Sequence, residues 1–202
     1  MVTKSTPRTQ EARSAAMRAR LIRATIESLV DKGYAATTVV EVCKRAGVTR
    51  GALFHHFEDL ADLLGAALTT VNTDMINSGV MEEEAATMVD RIWRNVSRRD
   101  FKAVIEVWLA ARNDPTLASR LGPVIEKFRA IFDPASNDML AAKIGQGEDA
   151  TGVYRLVVEA MIGMALGRAV TPDSGDMGHE DLVLEQLRAL TAQKFGNTPS
   201  SS

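Results

Sequence analysis

Residues 37 to 64 read TTVVEVCKRAGVTRGALFHHFEDLADLL, and the order of caps and chain breakers in this stretch decides the fold. Thr38 precedes an apolar run and Glu41 follows it by three positions, the pattern of a capping box, so a short helix is predicted to begin there and end near Arg45. Ala46-Gly47-Val48 makes a tight turn, because glycine takes a positive φ without a steric penalty. Thr49 is placed to cap a second short helix, Arg50 to about His56, by accepting from the free N–H groups of its first turn. Asp59 reads as the cap of a longer helix, Leu60 to about Asn77, with Leu63, Leu64, Ala67, Leu68 and Val71 along one side.

Upstream lies a basic helix predicted over Arg8 to Lys32, with Leu21, Ile22, Ile26, Leu29 and Val30 as its apolar stripe and Gly33 at its C-terminal cap. Two short helices joined by a glycine turn and preceded by such a helix are the parts of a helix-turn-helix, whose second helix enters the major groove of DNA. Thr38 and Thr49 put hydroxyls and helix-start N–H groups where phosphates can dock. Arg50, in the first turn of the second helix, carries the planar fork that pairs with guanine O6 and N7. Gly51 and Ala52 are small enough to let that helix approach the groove, and the Ala52 methyl suits contact with a thymine methyl.

With the turn, Gly51, Leu53, Phe54, His56-Phe57 and the acidic cap at their mutual spacing, the segment resembles the signature of the tetracycline-repressor (TetR) family over about residues 10 to 65. The resemblance implies that Thr38, Thr49, Arg50, Ala52, Phe54, His55 and His56 face DNA, and that the remainder forms an effector-binding and dimerisation domain. Three positions depart from the family's usual pattern: Phe54 stands where many relatives have Tyr, Leu60 where a Lys often starts the fourth helix, and Val40 where a polar residue is common. His55 and His56 are expected to line a groove or pack a cap, since neighbouring helical residues point apart and no carboxylate completes a metal set; no metal and no cofactor are expected. Cys43 is expected to be a small buried filler.

Period-two alternation is absent from the rest of the chain, so the whole is read as all-α with about nine or ten helices. Further helices are predicted over 82–98, 100–112, 115–131, 135–144, 150–170 and 179–195. Pro115 and Pro134 mark breaks, and Gly145-Gln146-Gly147 and Thr171 to Gly175 are loops by composition. The domain reading is a helix-turn-helix domain over 8–60, an effector-binding and dimerisation domain over 61–196, and flexible tails at 1–7 and 197–202.

The predicted helix 150–170 is apolar or small at nearly every position, so it must be covered on several sides. Leu156, Ala160, Gly163 and Gly167 form a flat stripe, and with Leu184 and Leu187 of the last helix they are the candidate dimer interface, a symmetric four-helix bundle. Met88, Trp93, Phe101, Ile105, Trp108, Phe128 and Tyr154, with Arg112 or Glu106 as polar anchors, are the candidate effector pocket; the same residues are equally compatible with plain core.

Net charge is only −2, but residues 1 to 50 carry ten basic against four acidic side chains, a net +6 that leaves −8 for the rest. A basic end on an acidic body fits a chain that meets phosphates at one end. One cysteine excludes an internal disulfide framework, and no run of eighteen apolar residues or secretory leader is present, so a cytoplasmic protein with no membrane partner is expected. The body lacks the Ser/His/Asp, Cys/His or paired-carboxylate sets of an enzyme. The expected function is a transcriptional repressor that binds a palindromic double-stranded operator as a homodimer and leaves it when a small-molecule effector binds; an activator or constitutive regulator of the same fold is the alternative.

Overall fold

The computed structural model describes residues 7–81, 87–133, 144, 147–170 and 178–195. Among the described residues the chain is all-α, with nine helices and no strand. They are α1 (Pro7–Lys32), α2 (Val39–Ala46), α3 (Arg50–His56), α4 (Leu60–Met81), α5 (Met88–Val96), α6 (Phe101–Asn113), α7 (Pro115–Ile131), α8 (Glu148–Val170) and α9 (Glu180–Phe195). The predicted helix 135–144, the loop at 171–175 and the tails beyond residues 7 and 195 lie outside the described residues, except that Ile144 is helical. Pro7, expected in the leading tail, opens α1, where a fixed φ and a missing N–H cost nothing.

Boundaries fall where side chains satisfy the free backbone groups of helix ends. Asp114 receives the N–H groups of Thr116 (2.9 Å) and Leu117 (3.0 Å), so α7 begins at Pro115 as predicted. The helix expected from residue 82 starts only at Met88, because Thr87 and Asp90 form a full capping box: Thr87 Oγ1 accepts from the Asp90 N–H (3.2 Å) and Asp90 Oδ2 from the Thr87 N–H (3.1 Å). α4 correspondingly runs on to Met81 instead of ending at Asn77.

The chain divides into two compact units. The first runs to Val71 and also takes in Ala103–Val124; the second comprises Asn72–Lys102 and the chain from Ile125 onward. In the first, Leu21 and Ala24 of α1 close against Val42, Cys43 and Ala46 of α2, Leu53 of α3, Phe57, and Leu63 of α4, all buried. Each such large apolar side chain contributes about 1.5 to 3 kcal/mol by leaving water. The buried hydroxyls in this unit are satisfied: Thr25 donates to Leu21 O (2.9 Å), Thr37 to Gly33 O (2.8 Å), and Ser28 shares a 2.9 Å bond with Thr37. From α6, Glu106 Oε2 accepts from the Tyr34 N–H (2.9 Å), beside Gly33, whose φ of 75° is why a glycine ends α1.

In the second unit α5, α8 and α9 pack together. Val89, Ile92 and Val96 meet a buried face of α8 made of Tyr154, Val157, Val158, Met161, Met164 and Ala165, with Leu184 and Leu187 from α9. Ion pairs at the rim join Arg188 to Asp90 (2.6 Å), Arg155 to Asp133 (3.2 Å) and Lys194 to Asp149; such exposed pairs contribute little.

Candidate nucleic-acid interface

Both helices of the motif are locked by their caps. Thr38 is extended (φ −108°, ψ 162°) and its hydroxyl accepts from the Glu41 N–H (3.2 Å); Thr49 does the same for the Ala52 N–H (3.2 Å). The reciprocal half of the predicted capping box at Thr38 is not formed, because Glu41 turns its carboxylate to Lys32 (2.9 Å) and Arg45 (3.4 Å). Those cations, the Lys32 hydrogen bond above all, hold the Glu41 carboxyl below its ordinary range. Arg45 also reaches Asp31 (2.6 Å), so α2 is tied to the end of α1. Between the motif helices Gly47 sits at φ 62°, and its N–H returns to Lys44 O (3.2 Å) while Val48 N–H returns to Cys43 O (3.0 Å).

α3 turns Leu53 fully inward and leaves Arg50, Gly51, Phe54 (49% exposed) and His55 in solvent, with Ala52 and His56 half-buried. Val40 of α2 is also in solvent (52% exposed). No ion pair engages Arg50 or Lys44 among the described residues, so their charges are available to an anion. The His55 and His56 rings meet edge to face at 5.1 Å, and burial, then His55 and Arg18, hold the His56 imidazole below its usual pKa and hence neutral at pH 7. Burial pushes the Cys43 thiol up, consistent with an unreactive filler. Among the described residues no group of three or more His, Cys, Asp or Glu side chains is gathered to hold a metal.

Arg18 is one of the ten basic side chains between residues 1 and 50. It donates to the His56 carbonyl and lies 4.2 Å from the centre of the Phe57 ring. At the start of α4, Asp59 accepts from the Asp62 N–H (2.9 Å), as its predicted cap role requires, and pairs with Arg120 of α7. Those contacts, the Asp62 N–H first, hold the Asp59 carboxyl low. Partners 61 residues apart, such as Arg120 and Asp59, leave no periodic trace in a sequence.

The candidate effector residues divide between the units. Met88, Trp93, Phe101, Phe128 and Tyr154 belong to the second, and Ile105, Trp108 and Arg112 to the first. Phe101, Ile105, Phe128 and Tyr154 are buried, Met88, Trp93 and Trp108 half-buried, and Arg112 is exposed. The Phe128 ring packs against Phe101 (6.0 Å between centroids) and Phe132 (5.6 Å). Burial, and then Asp133, push the Tyr154 phenol far above its ordinary value. Trp93 is faced by Arg168, 5.6 Å from its ring, which also lies 3.5 Å from Glu180. An open cleft of about 640 Å³ in the first unit, lined by α1, α4 and α7 residues such as Ile22, Asp62 and Leu121, shares none of the candidate pocket residues.

Of the candidate dimer residues, Leu156 (55% exposed) and Gly163 are open to solvent, and Ala160 and Gly167 are half-buried. Leu184 and Leu187 of α9 are buried within the chain, 3% and 7% exposed, and Leu182 is a large apolar residue of α9 open to solvent.

A capped short helix, a left-handed glycine turn and a second short helix with an exposed first turn, closed over a basic first helix, define a helix-turn-helix DNA-binding protein. A family model described as bacterial regulatory proteins, tetR family, matches residues 21–67. An HTH-type transcriptional regulator of Mycobacterium tuberculosis is 30% identical over 174 residues, covering 82% of this chain and 89% of that protein. A transcriptional regulator from Rhodococcus sp. RHA1 has the same fold, with a TM-score of 0.70 at 20% identity, covering 90% of this chain and 99% of that one. The multidrug binding protein EbrR, solved in complex with imidazole, matches at 26% identity and a TM-score of 0.57, covering 86% of this chain and 93% of that one. The chain belongs to the TetR family of helix-turn-helix transcriptional regulators.

Proposed function

We propose that the chain is a homodimeric repressor that a small molecule releases from a palindromic operator. The observation that carries the reading is the first turn of α3, where Arg50 stands in solvent, with no ion pair among the described residues, behind a Thr49 cap and beside the small Gly51 and Ala52. In this reading Thr38 and Thr49 meet phosphates, Arg50 reads guanine, Ala52 meets a thymine methyl, and Phe54, His55 and His56 line the groove. Residues 8–60 read DNA, and 61–196 dimerise and take the effector. The role is binding rather than catalysis, and it is exercised where the operator lies, in the cytoplasm; among the described residues no helix is long and apolar enough to cross a membrane.

Small-molecule control is supported by the likeness to EbrR, described as multidrug binding, and by the aromatic and methionine side chains of the candidate set. Dimerisation is supported by the α8 stripe of Leu156, Ala160, Gly163 and Gly167, in which Leu156 and Gly163 are open to solvent, and by the exposed Leu182 of α9 beside Leu184 and Leu187. The test is selection of binding sites from random duplex DNA with the wild type and Arg50→Ala. The expected result is a two-fold consensus with half-sites about 10 base pairs apart, relaxed by the substitution at one position in each half, where one bidentate contact is worth about 1 to 3 kcal/mol. Recovery of no consensus by the wild type counts against the proposal.

A further inference from the structure

We infer that Arg18 is a positioning residue for the recognition helix, pinning the C-terminal end of α3 to α1, and is not one of the cations that neutralise phosphates; the inference rests on the DNA-reading role of α3 proposed above. α3 has only seven residues, so most of its carbonyls lack a partner within the helix. The Phe57 N–H returns to Leu53 O (3.0 Å), and Arg18 supplies the donor for the carbonyl of His56, the last helical residue. The same guanidinium lies over the Phe57 ring, which is 1% exposed and therefore a fixed platform. A cation at the negative end of a helix is favourable, and a planar guanidinium can offer an edge to a carbonyl and a face to a ring together. A lysine ammonium is a point charge on a flexible stem and cannot meet both demands at once.

Its neighbours on α1 are placed differently. Arg13, Arg20 and Arg23 are exposed, whereas Arg18 is half-buried with one guanidinium N–H turned to the His56 carbonyl. Thr49 holds the first turn of α3 and Arg18 the last, so the angle at which Arg50 and Ala52 are presented depends on both ends. A phosphate contact and a positioning contact then leave opposite signatures. Losing a phosphate contact weakens every sequence alike and reduces the salt slope by about 0.9 per contact. Losing the pin reduces discrimination and leaves the slope unchanged.

The experiment measures binding of the full chain to a duplex carrying the palindrome selected from random DNA, and to a scrambled duplex of equal length, between about 50 and 200 mM salt. Wild type, Arg18→Met and Arg18→Lys are compared, with helical content monitored by circular dichroism. For Arg18→Met we expect preference for the palindrome to fall about tenfold, the size of one lost base contact, at an unchanged salt slope; Arg18→Lys, which keeps the charge, should restore little of it. A reduced salt slope with equal loss on both duplexes, restored by Arg18→Lys, overturns the inference. So does wild-type preference in a folded Arg18→Met, or unfolding of both variants, which would make Arg18 a requirement of the fold. If the wild type itself shows no preference for the palindrome, the DNA-reading proposal fails and this inference with it, an outcome distinct from the others.

Discussion

The headpiece of α1 to α3 and the α8–α9 pair both bury an apolar helix face, and they dispose of their remaining apolar surface in opposite ways. In the headpiece Leu21, Val42 and Leu53 are 0% exposed and Phe57 1%, while the large apolar residues left in water, Val40 and Phe54, sit on the two helices of the motif. Along α8 one face is buried to the same degree, yet Leu156, Leu166 (39%) and Val170 (70%) remain open, with Leu182 (62%) on α9. The headpiece completes its core within one chain. Among the described residues α8 keeps large apolar side chains in water beside its buried face, which supports the dimer stripe proposed above.

The contrast can be broken most forcefully at Leu53. Leu53→Ala should destabilise the protein by about 2 to 5 kcal/mol, measured by urea denaturation, because the cavity lies in a closed core; a loss under about 1 kcal/mol would mean the headpiece is loosely packed. Leu156→Glu tests the other side. It should leave helical content intact while weakening dimerisation by about 2 kcal/mol or more in analytical ultracentrifugation, and an unaltered association constant would remove this α8 stripe from the interface. Thr49→Ala should cost about 1 kcal/mol of stability by freeing the Ala52 N–H, and should weaken operator binding as well.

The smallest effect at neutral pH is expected at Tyr154, on the buried face of α8. Its folded pKa is raised, so its neutral form stabilises the fold fully below about pH 10 and progressively less as the unfolded chain ionises above that. Stability should fall by up to about 1.4 kcal/mol per pH unit there from this group, and Tyr154→Phe should flatten that slope. An unchanged slope between pH 10 and 11 would show the phenol reaching solvent.

The headpiece was legible because its boundaries are written in single residues: Thr38, Gly47 and Thr49 each act on the backbone within three positions of themselves. α3 and α7 accordingly have the limits predicted for them, and α1 and α2 differ by one residue at an end. Thr87 and Asp90 are as local a signal, and the span predicted from residue 82 overlooked it, beginning six residues before α5. Contacts between distant positions were not legible. Nothing in the local pattern pairs Arg18 with His56, Glu106 with Tyr34 or Arg120 with Asp59. Hydropathy identified Leu184 and Leu187 as apolar but could not say whether a leucine on an amphipathic helix faces its own chain or a second copy.

The grouping of Ala103–Val124 with the first 71 residues has a consequence for inheritance of specificity. A headpiece cut out at residue 60 and grafted onto another body would leave behind Glu106, which closes the α1–α2 turn, and Arg120, which braces the start of α4. The compact unit that holds the helix-turn-helix is therefore not one continuous cassette: it is assembled from two stretches separated in the gene, and recombination that preserves these contacts must keep both from the same parent.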